Sequence, residues 1–222
     1  MNLTSSSHYA LALVPTLREP VQSRAHKTRA ALLRAAASDF NARGYTQTTT
    51  KTIAERAAVA AGSFYQYFAD KDAILRELAL TRMLGLRDRI DAIGIPELSG
   101  PPTRASVERA SRAPLRAVLA ELMAYHRVEP GLHAVLSERR SADPELDAMT
   151  SLSEQGFVDR LEITLTRFGF SGDRRATAFV LFAMIEGAVH SHVLGTRVVS
   201  DKRFGDALSA AVMAVVTSGL PA

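Results

Sequence analysis

The sequence contains no cysteine. A chain without cysteine forms no disulfide, no cysteine-ligated zinc site and no thiolate nucleophile, which suits a reducing compartment. It also lacks an uninterrupted apolar run of membrane-spanning length, because Glu186, His190 and His192 break up the longest stretch, residues 179–194. The first residues carry neither early positive charge nor a long apolar segment, as an export signal would. We therefore expect a cytoplasmic protein with no membrane partner.

Over most of the chain neither sign of charge is in excess. The 27 Lys and Arg residues exceed the 23 Asp and Glu residues by four. Residues 1–77 contain ten basic and six acidic residues, whereas residues 78–222 contain 17 of each. The whole positive excess thus lies in the first third, which indicates a polyanionic partner for that segment and none for the remainder.

The apolar residues recur at helical spacing, and no segment alternates convincingly with a period of two. From Ala25 we predict a helix that ends at Gly44, a two-turn helix after Thr48–Thr50, a third helix over 60–68, and a fourth that starts at Asp70. After a Gly- and Pro-rich loop at 94–102, further helices are predicted at about 104–128, 131–139, 144–168, 173–194 and 203–218. The predicted fold class is all-α.

Three segments follow from this pattern. Residues 25–77 form a three-helix domain with a helix-turn-helix, and residues 78–222 form a larger helical domain. Residues 1–24 have no sustained period and are predicted to be a flexible arm. The arm is either an unstructured extension or a DNA-binding element that uses Arg18 and Arg24, as basic arms do in a minor groove.

The helix-turn-helix is supported by specific residues. Phe64 and Phe68 share one face of the third helix, which leaves a free polar face of the kind that reads a major groove. With the runs at 40–45, 48–50, 53–55 and 62–68 and with Lys71, the segment 31–75 resembles the DNA-binding domain of the TetR/AcrR (tetracycline-repressor-like) family. The resemblance extends over some 45 ordered positions and all helix boundaries.

The resemblance implies DNA contacts. Lys51 takes the place of a base-contacting side chain, Thr50 that of a phosphate contact, and Lys71 that of a phosphate-anchoring lysine. The residues expected to face DNA are Thr50, Lys51, Ala61, Gly62, Ser63, Tyr65, Gln66, Tyr67 and Lys71. Serine, glutamine and tyrosine can donate to phosphates or bases, and glycine permits close approach. Two alternatives remain open: Tyr65 is a core aromatic, or Lys51 is merely solvated.

The sequence departs from the family pattern at three alanines. Family members commonly have Gly where this chain has Ala58, Ser or Thr where it has Ala60, and a polar or basic residue where it has Ala61. Without a side-chain cap at Ala60, the recognition helix should lose about 1 kcal/mol. We expect base readout to depend on Lys51, Tyr65 and Gln66.

Beyond residue 77 the resemblance is architectural and implies a ligand-binding and dimerisation domain. The helices at 174–194 and 204–218 would pair with their mates in a homodimer. An apolar pocket for a small hydrophobic effector would lie among the middle helices. Its candidate residues are Met83, Leu84, Leu122, Met123, Tyr125, His126, Leu136, Phe157, Leu161, Phe182, Ile185, Glu186 and His190. The alternative for each apolar residue is ordinary core packing.

Glu186 and His190 lie four residues apart on one face of an apolar helix. They line the pocket, bind a metal with His126 or His133, or form a hydrogen-bonded pair in the interior or at the dimer interface. Because no third ligand has a clear spacing, we predict no metal site and no cofactor.

The expected function is a DNA-binding regulator, specifically a repressor that binds a palindromic operator as a dimer and is released by its effector. One alternative is a helical adaptor whose DNA binding is vestigial. An enzyme is the other, but residues 169–172 only superficially resemble a nucleophile elbow, and we find no catalytic constellation.

Overall fold

The computed structural model describes residues 23–220, which form nine α-helices and no strand. The helices are α1 Ser23–Gln47, α2 Thr50–Arg56, α3 Ala61–Phe64, α4 Lys71–Ile93, α5 Arg104–Arg127, α6 Pro130–Arg140, α7 Pro144–Arg167, α8 Arg174–Leu194 and α9 Asp201–Ser218. The predicted all-α fold is confirmed. Helix α1 begins two residues before the predicted start, and residues 1–22 of the predicted arm, Arg18 included, lie outside the described residues, as does the side chain of Arg24.

Local signals in the sequence fix several helix ends. Gly44 has φ 72°, a left-handed conformation that interrupts α1 as expected for a helix-stopping glycine. Thr49 caps α2 through a capping box in which Thr49 and Thr52 exchange side-chain to backbone hydrogen bonds. Asp70 accepts from the backbone N–H of Ala73 at 2.7 Å, and Asp173 caps α8 in the same way.

The chain divides into two compact units. The first comprises residues up to Met83 together with Glu129–Leu152, and the second comprises Leu84–Val128 and residues from Ser153 onward. The first therefore includes α6 and the start of α7 in addition to the helix-turn-helix. Its fully or nearly fully buried side chains include Leu32, Phe40, Ile53, Phe64, Phe68, Ile74, Leu75 and Leu132.

Helix α6 is joined to α1 by a side chain distant in sequence. Asn41 Oδ1 accepts from the backbone N–H of Gly131 at 2.9 Å and of Leu132 at 3.4 Å. Glu129, the residue before α6, has φ 53° and provides no side-chain cap, so Asn41 supplies the hydrogen bonds that the start of α6 lacks. Gly131 permits this approach, since a Cβ there would lie 2.1 Å from the Asn41 carbonyl oxygen.

The second unit is built on α5, α8 and α9, which pack on one another in all three pairings. Its buried side chains include Leu119, Leu165, Phe168, Leu181 and Val189. Among residues 23–220, only α8 is long and apolar enough to cross a membrane, judged by length and composition alone. Core helices of soluble proteins pass the same test. Just 28% of its apolar window is buried in the single chain.

Candidate DNA-binding surface

Helix α2 ends in a backbone motif that positions the residues before α3. The N–H of Ala58 donates to the Glu55 carbonyl at 3.1 Å, and the N–H of Val59 donates to the Ala54 carbonyl at 3.0 Å. These two bonds define a Schellman motif, in which the residue at the Ala58 position is left-handed and is usually glycine. Ala58 has φ 55°. The family's glycine at this position therefore has a structural reason, and this chain satisfies the motif with a residue that fits it less well.

Helix α3 is shorter than the predicted recognition helix over 60–68. It comprises only Ala61–Phe64, and Tyr65–Tyr67 continue as turns, in which the N–H of Tyr67 donates to the Phe64 carbonyl at 3.0 Å. The absence of a side-chain hydrogen bond from Ala60 agrees with the expected loss of a cap. With an uncapped start and Gly62 inside it, this segment has weak intrinsic helix preference.

The inner and outer faces of this segment separate as the spacing predicts. Phe64 and Phe68 are buried, with ring centroids 5.7 Å apart. Tyr65 is 59% exposed, so it is not a core residue, although its ring meets the edge of Phe64. Its hydroxyl lies 3.0 Å from the hydroxyl of Thr50, which connects α3 to the first residue of α2.

The other expected DNA-facing residues of α2 and α3 are accessible to a ligand. Lys51, Ala61, Gly62 and Gln66 are exposed, and Thr50, Ser63 and Tyr67 are half-buried. We call these residues and Tyr65 the α2–α3 surface. The ammonium of Lys51 lies 3.9 Å from the carboxylate of Glu55, and this exposed pair costs little to separate. Lys51 is therefore available for a contact outside the chain.

Lys71 fixes the turn between α1 and α2 rather than extending into solvent. Its Nζ donates to the carbonyl oxygens of Tyr45 at 3.0 Å and Thr48 at 3.2 Å, and it lies 3.8 Å from the centre of the Tyr45 ring. These contacts leave one of the three ammonium N–H groups for a phosphate. Lys71 thus supports the backbone that precedes Thr49 and Thr50 and keeps one N–H group for a further contact.

Tyr45 is a supporting residue that the sequence analysis did not assign. Its hydroxyl donates to Asp72 at 2.6 Å, and the Arg139 guanidinium of α6 lies 4.1 Å from its ring centre. Burial, with the hydrogen bond to Asp72 as the next cause, raises the pKa of Tyr45 to about 12. Tyr45 therefore stays a neutral donor at physiological pH. Its place in the Gly44-Tyr45 pair was the only signal in the sequence.

Two arginines near the surface are directed inward. Arg56 Nε donates to Asp39 Oδ1 at 2.6 Å, and Arg43 lies 3.8 Å from the same oxygen. The Asp39 carboxylate is fully buried, so these arginines compensate a charge inside the first unit. The α2–α3 surface has its positive charge at Lys51 instead, and Lys71 at the start of α4 is a further cation.

The expected effector residues are distributed between the two units. Met83 and Leu136 belong to the first unit, and the others belong to the second. In the second unit, Leu122, His126 and Ile185 are buried, while Phe157 and Phe182 stack at 6.5 Å between ring centres. Leu84, Met123, Tyr125 and Leu161 are partly buried. His126 Nε2 lies 3.1 Å from Glu186 Oε1, and His190 stands edge-on to the His126 ring.

The helix-turn-helix segment matches a known protein family. Residues 32–78 match the model of the bacterial regulatory proteins of the tetR family. The matched segment contains the whole α2–α3 surface and Lys71. No curated protein matches the chain.

Solved structures of transcriptional regulators share the fold over most of the chain. A transcriptional regulator from Rhodococcus is 20% identical, with a TM-score of 0.66 over 89% of this chain and 98% of its own. A TetR transcription regulator from Haloarcula marismortui is 15% identical, with a TM-score of 0.65 over 88% and 100% of the two chains. The fatty acid degradation regulator FadR from Bacillus halodurans is 22% identical, with a TM-score of 0.61 over 87% and 96%. At these identities the likeness concerns the fold.

Proposed function

We propose that the chain, which has the DNA-binding domain and the fold of the TetR family of transcriptional regulators, binds double-stranded DNA through the α2–α3 surface. The observation that carries this proposal is the arrangement of α3. Its apolar side is buried, and its other side presents Tyr65, Gln66 and Gly62 to solvent beside Lys51. A short helix with an exposed polar side, at which glycine permits close contact with bases, is suited to binding in a major groove.

We further propose that the protein acts as a homodimer. The single chain leaves apolar and small side chains exposed on both α8 and α9. On α8 these are Ala176, Phe179, Val180, Ala183 and Gly187; on α9 they are Ala207, Ala210, Ala211 and Ala214. Each set recurs at three- and four-residue spacing, so each forms one face of its helix. Faces of this kind allow close helix packing, and pairing two chains would place two DNA-binding heads on a palindrome.

The effector is proposed to be a small, largely hydrophobic molecule held among the apolar residues of the second unit. It would release the dimer from its operator by binding better to a conformation whose two heads do not match the operator spacing. The shared fold with a fatty acid degradation regulator makes fatty acids a reasonable first panel of compounds. Repression is the proposed direction of regulation.

DNA binding is tested with the full chain and DNA from upstream of its own gene, by fluorescence anisotropy across a salt series. We expect binding that weakens linearly in log–log form as salt rises. Lys71→Ala should weaken binding to every sequence, and Lys202→Ala on α9 serves as the charge-matched control. Because Lys71 also holds two backbone carbonyls, the unfolding midpoint of this variant is measured in parallel.

An absence of DNA binding at low salt would favour the adaptor alternative, and turnover of a substrate would favour an enzyme. Genome-wide mapping of binding sites then identifies the operator. The genes beside those sites indicate the chemistry of the effector, and transcription from them with and without the regulator gives the direction of regulation.

A further inference from the structure

Arg139, in the last turn of α6, lies against the residues beside Lys71. Its guanidinium carbon is 4.1 Å from the centre of the Tyr45 ring, and its Nη2 is 3.6 Å from Asp72 Oδ1. The same Asp72 oxygen accepts the hydrogen bond of the Tyr45 hydroxyl at 2.6 Å. The three side chains therefore contact one another pairwise, and all of them belong to the first unit.

The Tyr45 ring is also a support of Lys71. The Lys71 ammonium lies 3.8 Å from the ring centre and donates to the backbone carbonyl of Tyr45 at 3.0 Å. Phe40 stacks on this ring with centroids 6.3 Å apart, while Asp72 binds its hydroxyl and Arg139 lies over it. The position of the Lys71 ammonium therefore depends on Arg139 through the ring.

Arg139 also offsets negative charge near Lys71. Lys71 stands between Asp70 and Asp72 in the sequence, and an uncompensated carboxylate there opposes the approach of a DNA phosphate. The Arg139 side chain is only 22% exposed, so solvent screens its pair with Asp72 less than it screens a surface pair. The Arg139 Nε is buried and has no hydrogen-bond partner among residues 23–220, and such a desolvated guanidinium interacts more strongly with an aromatic ring.

We propose that Arg139 is a positioning residue for DNA binding, which holds Lys71 through the Tyr45 ring so that the remaining ammonium N–H group can donate to a phosphate. This role rests on the DNA binding proposed above. It makes α6, which lies outside the matched residues 32–78, a part of the DNA-binding apparatus. Arg139 then contributes to DNA affinity only while Lys71 is present. That dependence distinguishes positioning from a phosphate contact by Arg139 itself and from a general loss of stability.

The test is a double-mutant cycle, measured by fluorescence anisotropy with the full chain and DNA from upstream of its own gene, at a salt concentration at which Lys71→Ala still binds. Arg139→Gln should weaken DNA binding by about threefold or more when Lys71 is present, the effect of losing one partly buried cation–π contact. In the Lys71→Ala background the same substitution should alter neither the affinity nor the salt slope.

Arg140→Gln, at the next residue of α6, is the charge-matched control. The Arg140 guanidinium donates to Asp147 at 2.6 Å, and its loss should not weaken DNA binding in either background. Thermal unfolding of each variant is measured in parallel. If Arg139→Gln does not fold, the cycle is run with Arg139→Lys, which keeps the cation but lacks the planar group that lies on the ring.

The outcomes separate this role from the proposed function. If the unmodified chain binds DNA and the Arg139 substitution weakens binding equally with and without Lys71, or in neither case, the positioning role is overturned and the proposed function stands. If the unmodified chain binds no DNA at low salt, both are overturned.

Discussion

Ala58 is a residue whose side chain conflicts with its backbone conformation. The two hydrogen bonds of the Schellman motif require a left-handed residue between α2 and α3, and Ala58 adopts φ 55°. For residues with a Cβ this conformation costs roughly 1–2 kcal/mol. Nothing in the contacts of Ala58 requires a methyl group, since the side chain is exposed. The strained conformation of Ala58 therefore destabilises the connection between α2 and α3, which orients the α2–α3 surface.

We expect Ala58→Gly to stabilise the protein by about 1 kcal/mol because glycine adopts positive φ without steric cost. Thermal unfolding of this variant should shift upward by roughly 2–4 °C. Ala120→Gly, at an exposed mid-helix position of α5, is the matched control and should lose about 1 kcal/mol. An unchanged or lower midpoint for Ala58→Gly would show that the motif carries no strain.

Lys51 and Tyr67 are predicted to differ in what they contribute to DNA binding. Lys51→Ala should relax sequence preference at one position of each half-site, because the resemblance places its ammonium at a base edge. Tyr67→Phe should weaken binding to all sequences similarly, since it removes only a hydroxyl from a half-buried ring. Binding selections from a randomised DNA pool separate the two effects. An unaltered preference in Lys51→Ala would count against a base contact.

Among the helices, α6 depends on one close contact, in which the backbone at Gly131 lies against the Asn41 backbone of α1. Gly131→Ala places a methyl group 2.1 Å from the Asn41 carbonyl oxygen, a backbone atom that cannot rotate away. We expect a loss of about 1–3 kcal/mol, with α6 displaced from α1. Gly156→Ala in α7, where a Cβ meets nothing within 4 Å, should be neutral or stabilising. Urea unfolding curves of both variants measure the difference, and equal stability would remove the need for glycine at 131.

Asp201 connects three helices of the second unit. Its carboxylate lies 2.9 Å from His192 Nε2 of α8 and 2.8 Å from Arg127 of α5. The hydrogen bond to His192 is the main cause that lowers the pKa of Asp201, and the bond to Arg127 adds to it.

A lowered carboxylate pKa stabilises the fold above the unfolded-state pKa, and this stabilisation is lost as pH falls through the folded-state value. Unfolding free energy should therefore fall less steeply between about pH 5 and 3 in Asp201→Asn than in the unmodified chain. Asp88→Asn, at an exposed carboxylate of α4, is the control. If the unfolding free energy fell equally steeply with pH in the unmodified chain and in Asp201→Asn, Asp201 would not link stability to pH.

The elements that the sequence predicts well are those with local signals. Asp70, Asp173 and Gly44 mark helix ends through contacts within four residues, so their roles follow from spacing alone. The short α3 and the Asn41 cap of α6 were not predicted. The first depends on a weak local preference, and the second joins residues 90 positions apart. Similarly, helical spacing pairs Glu186 with His190 and the sequence offers His126 or His133 as their partner, but only the fold shows His126 Nε2 3.1 Å from Glu186 Oε1.

At the scale of the whole molecule, the dimer is the assembly that the exposed faces of α8 and α9 suit. Ala211→Glu should convert the protein to a monomer, because it places a charge in the middle of the small-residue face of α9. Light scattering during size-exclusion chromatography measures the mass. Affinity for a palindromic operator should fall together with the measured mass. Ala120→Glu on α5 is the control and should change neither the mass nor the affinity. A dimeric Ala211→Glu protein with full affinity would place the interface elsewhere.

The α2–α3 surface has a spectroscopic consequence. The chain has five tyrosines and no tryptophan, and Tyr45, Tyr65 and Tyr67 all lie in or beside the helix-turn-helix. Ultraviolet emission from the protein is therefore tyrosine emission, with no indole to mask it or to drain it by energy transfer. Base stacking or hydrogen bonding at Tyr65 would quench a large share of this light. The unlabelled protein would thus be its own optical reporter of the proposed DNA binding.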